Sequence, residues 1–119
     1  MRVLLVDDHP MVRQGLRSVL DGYDDIQVVG EARDGVEAMH LVEELHPGVV
    51  VMDINMPRMN GIEATGRIKI RWPETTVIGI SINAGAHNAD AMIRAGAATL
   101  LTKDAVVDEL YRTIANAVK

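Results

Sequence analysis

Charged and hydroxyl side chains follow four short apolar runs of the chain, and their chemistry suits a cation and a phosphoryl group. Asp7 and Asp8 follow the first of these runs, while Asp53, Ser81 and Lys103 stand at the ends of three later ones. Carboxylates about 4 Å apart repel by about 4 kcal/mol per pair at the effective dielectric near a protein surface. A positive charge is therefore expected among them. Oxygen ligands without thiols favour a hard ion such as Mg²⁺, with Mn²⁺ as an alternative.

The same residues include the groups that phosphoryl transfer to an aspartate requires. Lys103 would offer a point charge to a phosphoryl oxygen, and the Ser81 hydroxyl could donate a hydrogen bond to one. Asp53 is the candidate nucleophile, because ligands of open α/β sheets bind outside the carboxyl ends of the strands. A lone aspartate at a strand end more often only caps a loop. The prediction therefore depends on whether these strand ends converge.

The apolar runs lack helical spacing and are rich in β-branched residues, which predicts strands buried in a parallel sheet. Strands are expected at 2–6, 26–31, 49–53, 76–81 and 98–101. Between them, apolar residues at helical spacing predict helices over 10–21, from 35, from 61 towards 72, over 86–95 and after 104. This alternation predicts an α/β fold, a doubly wound five-stranded parallel sheet with helices on both faces, in one domain over 1–119.

Local signals place the starts and the apolar faces of several helices. Pro10 suits the first position of a helix, and His9 is expected to be a helix-start residue rather than a metal ligand. Asn60, with Glu63 three residues later, predicts an N-cap. The apolar faces are expected to include Met11, Val12, Leu16, Val19 and Leu20 in the first helix, Ile62, Ile68 and Ile70 in the third, and Val107, Leu110, Tyr111, Ile114 and Val118 in the last.

Composition limits the classes of function. The net charge is −5, and lysine and arginine are scattered rather than gathered on one face, which argues against direct binding of nucleic acid. The aromatic residues are only Trp72, Tyr23 and Tyr111, so base-stacking platforms are not expected. The chain has no cysteine, no signal peptide pattern and no run long enough for membrane insertion. We therefore expect a cytoplasmic protein.

The whole chain resembles the receiver domain of two-component response regulators. The residues that carry the resemblance are Val-Asp-Asp-His-Pro at 6–10, Met-Asp-Ile-Asn-Met-Pro-Arg-Met-Asn-Gly at 52–61, Ser81, and Leu-Leu-Thr-Lys at 100–103. In style the chain is most similar to receivers of LuxR-type regulators and of hybrid sensor kinases. The resemblance implies a flavodoxin-like (βα)5 fold, similar to chemotaxis regulators, and signalling that depends on phosphorylation.

The resemblance also implies roles for individual residues. Asp53 would accept the phosphoryl group from the phosphohistidine of a histidine kinase or a histidine phosphotransfer protein. Asp8 and Asp53 would ligate Mg²⁺ directly, Asp7 largely through water, and Asn55 through its backbone carbonyl.

Further implied roles concern the phosphorylated state. Ser81 and Lys103 would bind the phosphoryl group. The face formed by the last two helices and the fifth strand would then change shape, and it could form a homodimer. Asn55 and Asn83 occupy positions that tune autodephosphorylation in this family.

Three positions depart from the family pattern, among them Asp104, where many relatives have proline. Leu100 stands where receivers usually carry the tyrosine or phenylalanine that swings inward on activation. Ile82 is bulkier than the small residue that commonly follows the hydroxyl residue, and we expect it to slow phosphorylation by small donors.

Rival functions use the same fold or the same chemistry. A phosphatase of the haloacid dehalogenase type needs a second acid where this chain has Asn55, and a flavodoxin-like nucleotide carrier needs a phosphate loop after the first strand. A degenerate receiver would act only through interaction. A relay receiver from a hybrid sensor kinase keeps every site residue. We expect a phosphoacceptor rather than a turnover enzyme, with no output domain within residues 1–119.

Overall fold

The computed structural model describes residues 1–82 and 86–118. Across these residues the elements follow one another in the order β1 (Arg2–Val6), α1 (Pro10–Asp21), β2 (Gln27–Ala32), α2 (Gly35–Leu45), β3 (Val49–Asp53), α3 (Gly61–Arg71), β4 (Thr76–Ser81), α4 (Ala86–Ala95), β5 (Thr99–Thr102) and α5 (Val106–Ala117). The strands form one sheet in the order β2-β1-β3-β4-β5, and every neighbouring pair is parallel. The predicted doubly wound parallel sheet is confirmed.

Strand β3 lies at the centre of the sheet and is buried along its whole length. Its β-branched residues suit this position, because they pack well on a pleated surface that is covered on both faces. Val50 pairs with Leu4 on one side and with Val77 on the other. The strand that carries Asp53 is therefore held between two neighbours and two helical layers.

Alternate residues of the strands pack against different helical layers. Val3 and Leu5 of β1 belong to the cluster formed with α1 and α5, whereas Leu4 and Val6 belong to the cluster formed with α2, α3 and α4. This alternation follows from the two-residue period of a strand. Both faces of the sheet are thus covered, and polar side chains can collect at the ends of the strands.

The predicted boundaries of two edge strands are one residue early. Strand β2 runs over Gln27–Ala32 rather than 26–31, and β5 over Thr99–Thr102 rather than 98–101. Each of these strands pairs with only one neighbour, so tertiary pairing fixes its ends more than local sequence does.

Four assignments to apolar helix faces are wrong, and three of the residues, Met11, Ile70 and Val107, are 78%, 83% and 59% exposed. In α5 the buried residues are Val106, Leu110 and Ile114, spaced by four. The buried face therefore begins at Val106 and not at Val107, where the prediction placed it. Val118, also assigned to this face, is 41% exposed.

Helix starts agree with the local signals. The Asn60 side chain accepts a hydrogen bond from Glu63 N at 2.9 Å, which confirms the predicted N-cap. Pro10 begins α1, and His9 occupies the N-cap position without a side-chain capping bond. In the described part of the chain, the helices are too short and too polar to cross a bilayer.

Candidate functional site

The carboxyl ends of β1, β3, β4 and β5 meet at one edge of the sheet, as all ends of parallel strands must. Asp7 extends the pairing of β1 with β2, because its N–H donates to Ala32 O at 3.0 Å. Lys103 follows β5, and its N–H donates to Ser81 O at 2.7 Å. Asp53 is the last residue of β3 and lies opposite Ile80 of β4. The predicted convergence of the strand ends is confirmed for these residues.

The acidic side chains form one compact cluster. One carboxylate oxygen from each of Asp7, Asp8 and Asp53 and one ring nitrogen of His9 all lie within 4.8 Å of one another. Asp7 and Asp53 are buried, whereas Asp8 is partly exposed. The cluster therefore opens to solvent on the side of Asp8.

Both oxygens of the Asp7 carboxylate lie close to polar or charged groups. Its Oδ1 accepts from His9 N at 2.8 Å and lies 3.1 Å from His9 Nδ1, while its Oδ2 lies 2.8 Å from Lys103 Nζ. The guanidinium of Arg13 donates to the backbone oxygen of Asp7 at 2.5 Å and so holds the segment between β1 and α1 in place.

Lys103 balances part of the negative charge. Its Nζ lies 2.8 Å from Asp7 Oδ2 and 3.4 Å from Asp53 Oδ1. Burial opposes the charge of this ammonium, but the hydrogen bond to Asp7 and the charges of Asp53 and Asp7 outweigh burial and raise the pKa of Lys103 above 10.5. Lys103 is therefore a cation at neutral pH.

The environment of Asp53 disfavours the charged form of its carboxyl group. Its burial, followed by the charge of Asp7, raises the pKa of Asp53 from 3.8 to about 6, and Lys103 offsets only part of this rise. No hydrogen-bond donor in the described part of the chain reaches its Oδ2. A buried carboxylate oxygen without a donor needs another positive partner.

The residues fit a hard divalent cation. The donors of the cluster are mainly carboxylate oxygens, one of them is the unpaired Asp53 Oδ2, and one ammonium does not neutralise three carboxylates. These are the conditions under which Mg²⁺ binds to one or two carboxylates while it keeps several of its waters. Mn²⁺ takes the same oxygen donors.

The segment between β3 and α3, residues 54–60 and here called the acceptor loop, lies against the phosphoacceptor candidate. Gly61 N donates to Ile54 O at 2.8 Å. A Cβ at Gly61 would lie 1.9 Å from the backbone oxygen of Asp53, so only glycine fits there. Asn55 is exposed on this loop.

The other predicted site positions lie at the end of β4, directly after it or in β5, and those that the structure describes differ in their exposure to solvent. Ser81 is 1% exposed at the end of β4 and lies next to the backbone of Lys103, whereas Ile82 is 75% exposed. Asn83 lies outside the described residues. Leu100 packs against the core on the side of α4, and a Cβ at Gly79 would lie 2.8 Å from both Leu100 Cδ1 and Met92 Cε.

The sequence did not predict two arginines that bind the segments next to the acidic cluster. Arg13 bridges Asp7 and Glu31, and Arg58 pairs with Asp34. Glu31 and Asp34 are far in the sequence from the arginines that bind them, so spacing gave no signal for these pairs.

A family model described as the response regulator receiver domain matches residues 3–115. The chain is 40% identical over 119 residues to the transcriptional regulatory protein LiaR of Bacillus subtilis (strain 168), covering 100% of the chain and 56% of that protein. It is 39% identical over 114 residues to the response regulator GacA of Pseudomonas protegens, covering 96% and 54%. The chain spans about half the length of the curated relatives it matches.

The fold is also similar to solved structures. The response regulator domain of Thermotoga maritima CheB superposes with a TM-score of 0.92 at 38% sequence identity. The match covers 99% of this chain and 96% of that chain.

Proposed function

Because the chain belongs to the receiver domains of two-component response regulators, we propose that Asp53 is the residue that accepts the phosphoryl group. One observation carries the proposal. The Asp53 carboxylate is buried at the end of the central strand, 3.4 Å from the Lys103 ammonium, with one oxygen that no described donor reaches. An acid that only capped a loop would have backbone N–H partners instead.

The transfer is a nucleophilic substitution at phosphorus. A carboxylate oxygen of Asp53 attacks the phosphorus of a phosphohistidine, the new O–P bond forms as the P–N bond breaks, and the leaving imidazole nitrogen keeps the electron pair and takes a proton from solvent. Lys103 lies close enough to pair with a phosphoryl oxygen. The hydroxyl of Ser81, at the end of the adjacent strand, donates to another.

The acidic cluster would hold the cation of the reaction. Asp8 and Asp53 would be the direct ligands, and Asp7, whose oxygens lie beside His9 and Lys103, would contribute through water. The backbone carbonyl of Asn55 would complete the set. When bound, Mg²⁺ supplies the positive charge that offsets the repulsion between the carboxylates and the incoming phosphoryl group.

A histidine kinase or a histidine phosphotransfer protein is the donor, and an apolar groove beside the site supports this partner. The groove is lined by Met11, Val12, Gly15 and Leu16 of α1 and by Lys103, Val106 and Val107 of the β5–α5 segment. Met11 and Val107 are exposed there. A donor helix that packs on this groove would bring its phosphohistidine next to Lys103.

Phosphorylation would change the face formed by α4, β5 and α5, which we propose as the output and homodimer surface. A phosphoryl group adds about two negative charges and new acceptors within reach of Ser81. Leu100 and Met92 fill the space over Gly79, so β5 and α4 are in contact at the position where the family aromatic is missing. The names of LiaR and similar relatives favour a transcriptional regulator over a relay receiver.

Phosphorylation of the isolated chain tests the proposal. With Mg²⁺ and acetyl phosphate, intact-mass spectrometry should show one phosphoryl adduct that Asp53→Asn lacks and that the exposed control Asp90→Asn retains. An adduct on Asp53→Asn would refute the assignment. Continuous release of phosphate from a phosphomonoester would favour the phosphatase instead.

The donor groove has a separate test. Met11→Glu should slow phosphoryl transfer from a phosphorylated histidine phosphotransfer domain and leave the rate with acetyl phosphate unchanged. The control is Ile70→Glu, which places the same charge on another exposed apolar residue outside the groove. Equal rates for Met11→Glu and Ile70→Glu with the protein donor would place docking elsewhere.

A further inference from the structure

The acceptor loop contains a strained turn centred on Arg58. Met59 N donates to Pro57 O at 2.7 Å, and Arg58 between them has φ of 66°. A three-residue turn with a positive φ at its central residue is a rare and strained γ-turn, and arginine rarely adopts this φ. Such a conformation persists only when surrounding contacts enforce it.

The side chain of Arg58 supplies one of these contacts. Its Nε lies 3.2 Å from Asp34 Oδ2 and its Nη2 lies 3.4 Å from Asp34 Oδ1. The Asp34 side chain is 6% exposed, and its Oδ1 also accepts from Glu37 N at 2.8 Å at the start of α2. Asp34 is therefore a fixed anchor, and the guanidinium reaches both of its oxygens.

A backbone contact lies beside this ion pair. Gly35 N donates to Met59 O at 3.0 Å. A Cβ at Gly35 would lie 2.5 Å from that same oxygen, so the two segments approach as closely as glycine allows. The middle of the acceptor loop is thus bound to the N-terminus of α2, while Gly61 holds its end against Ile54.

We propose that Arg58 and Asp34 are positioning residues that hold the acceptor loop in the conformation in which the Asn55 carbonyl serves the cation site. This inference rests on the proposed function. Asn55 is exposed and stands two residues before Pro57, where the turn begins, so only a short stretch of backbone separates its carbonyl from the turn. Loss of the ion pair lets the γ-turn relax, and the carbonyl then has to be repositioned when the cation binds.

Calorimetric titration of the chain with Mg²⁺ tests the proposal. Arg58→Ala and Asp34→Asn should each weaken Mg²⁺ binding by about tenfold, the lower end of what loss of an orienting partner costs a metal site. Asparagine at position 34 retains the N-cap of α2, so this variant removes the charge and keeps the helix start. The double variant should bind no more weakly than either single one, because both remove the same interaction.

Two further variants separate positioning from general stability. Arg58→Lys retains a cation beside Asp34 and should recover most of the affinity. Arg71→Ala removes another arginine between α2 and α3, whose Nη2 lies 3.4 Å from Glu43 Oε1 away from the loop, and should leave the affinity unchanged. In phosphorylation by phosphoramidate, Arg58→Ala should raise the Mg²⁺ concentration for half-maximal rate and leave the rate at saturating Mg²⁺ unchanged.

The outcomes distinguish this inference from the proposed function. If the wild-type chain binds Mg²⁺ and forms its adduct on Asp53, but Arg58→Ala and Asp34→Asn bind Mg²⁺ within twofold of it, the positioning role is refuted and the phosphoacceptor stands. The same conclusion follows if Arg71→Ala weakens binding as much as Arg58→Ala. A wild-type chain that neither binds Mg²⁺ nor forms the adduct refutes both proposals.

Discussion

Replacement of Asp53 by asparagine should stabilise the fold near neutral pH. The folded-state pKa of Asp53 is about 6, against 3.8 ordinarily, because burial and the charge of Asp7 disfavour its carboxylate. The folded chain therefore retains a proton that the unfolded chain releases between about pH 4 and pH 6, so stability falls as the pH rises through this window. At about 1.4 kcal/mol per pKa unit, the ionised group costs roughly 3 kcal/mol near pH 7.

Asparagine has the same shape without the charge, but its amide must still be desolvated. We therefore expect Asp53→Asn to raise the free energy of unfolding by about 2 kcal/mol near pH 7, and the gain to vanish as the pH falls to about 4. Urea unfolding followed by far-UV circular dichroism, with chelator present, measures this difference.

The control for this experiment is Asp90→Asn, which removes a carboxylate from an exposed site on α4 and should change stability by less than about 0.5 kcal/mol. A gain for Asp53→Asn that stays constant between pH 4 and pH 7 would show that the charge of Asp53 is not its source. A loss of stability near pH 7 would contradict the buried environment of the carboxylate.

Three further predictions concern single positions. Gly61→Ala should lower stability by about 3 kcal/mol in urea unfolding, because its Cβ would overlap the backbone, whereas Gly66→Ala on the same helix has open space and should be neutral or stabilising. Ile82→Ala should be phosphorylated faster by acetyl phosphate, and an unchanged rate would exclude a steric role. The hydrogen bond to Asp25, with burial, raises the pKa of Tyr111 above 10, so Asp25→Asn should lower that pKa in a spectrophotometric titration.

The cluster is costly for stability in the absence of a cation. The Lys103 ammonium lies beside two of the three carboxylates, and the buried Asp53 carboxylate has an oxygen that no described donor reaches. A cation that binds the folded chain and not the unfolded one stabilises the fold by mass action. The proposed phosphoryl transfer to Asp53 requires a cation, and the same charge would relieve the cost of the Asp53 carboxylate to the fold.

The local sequence determined the elements and the residues at their ends. Short β-branched runs that alternate with helical spacing can only bury their apolar surface as a parallel sheet covered on both faces, and this geometry places Asp53, Ser81 and Lys103 at one edge. The Asn60 cap and the Pro10 start depend on neighbours within one helical turn, so they too were predictable.

Tertiary structure decided what depends on contacts between distant segments. Val106 is buried and Val107 is exposed because of the rotation of α5 about its own axis against the sheet. Sequence periodicity does not determine that rotation. The pairing of Arg58 with Asp34 and the raised pKa of Asp53 depend on burial and on charges brought from other strands. The sequence states which ionisable groups are present. Their interaction energies depend on the distances between them and on their desolvation, and the folded chain alone determines these two quantities.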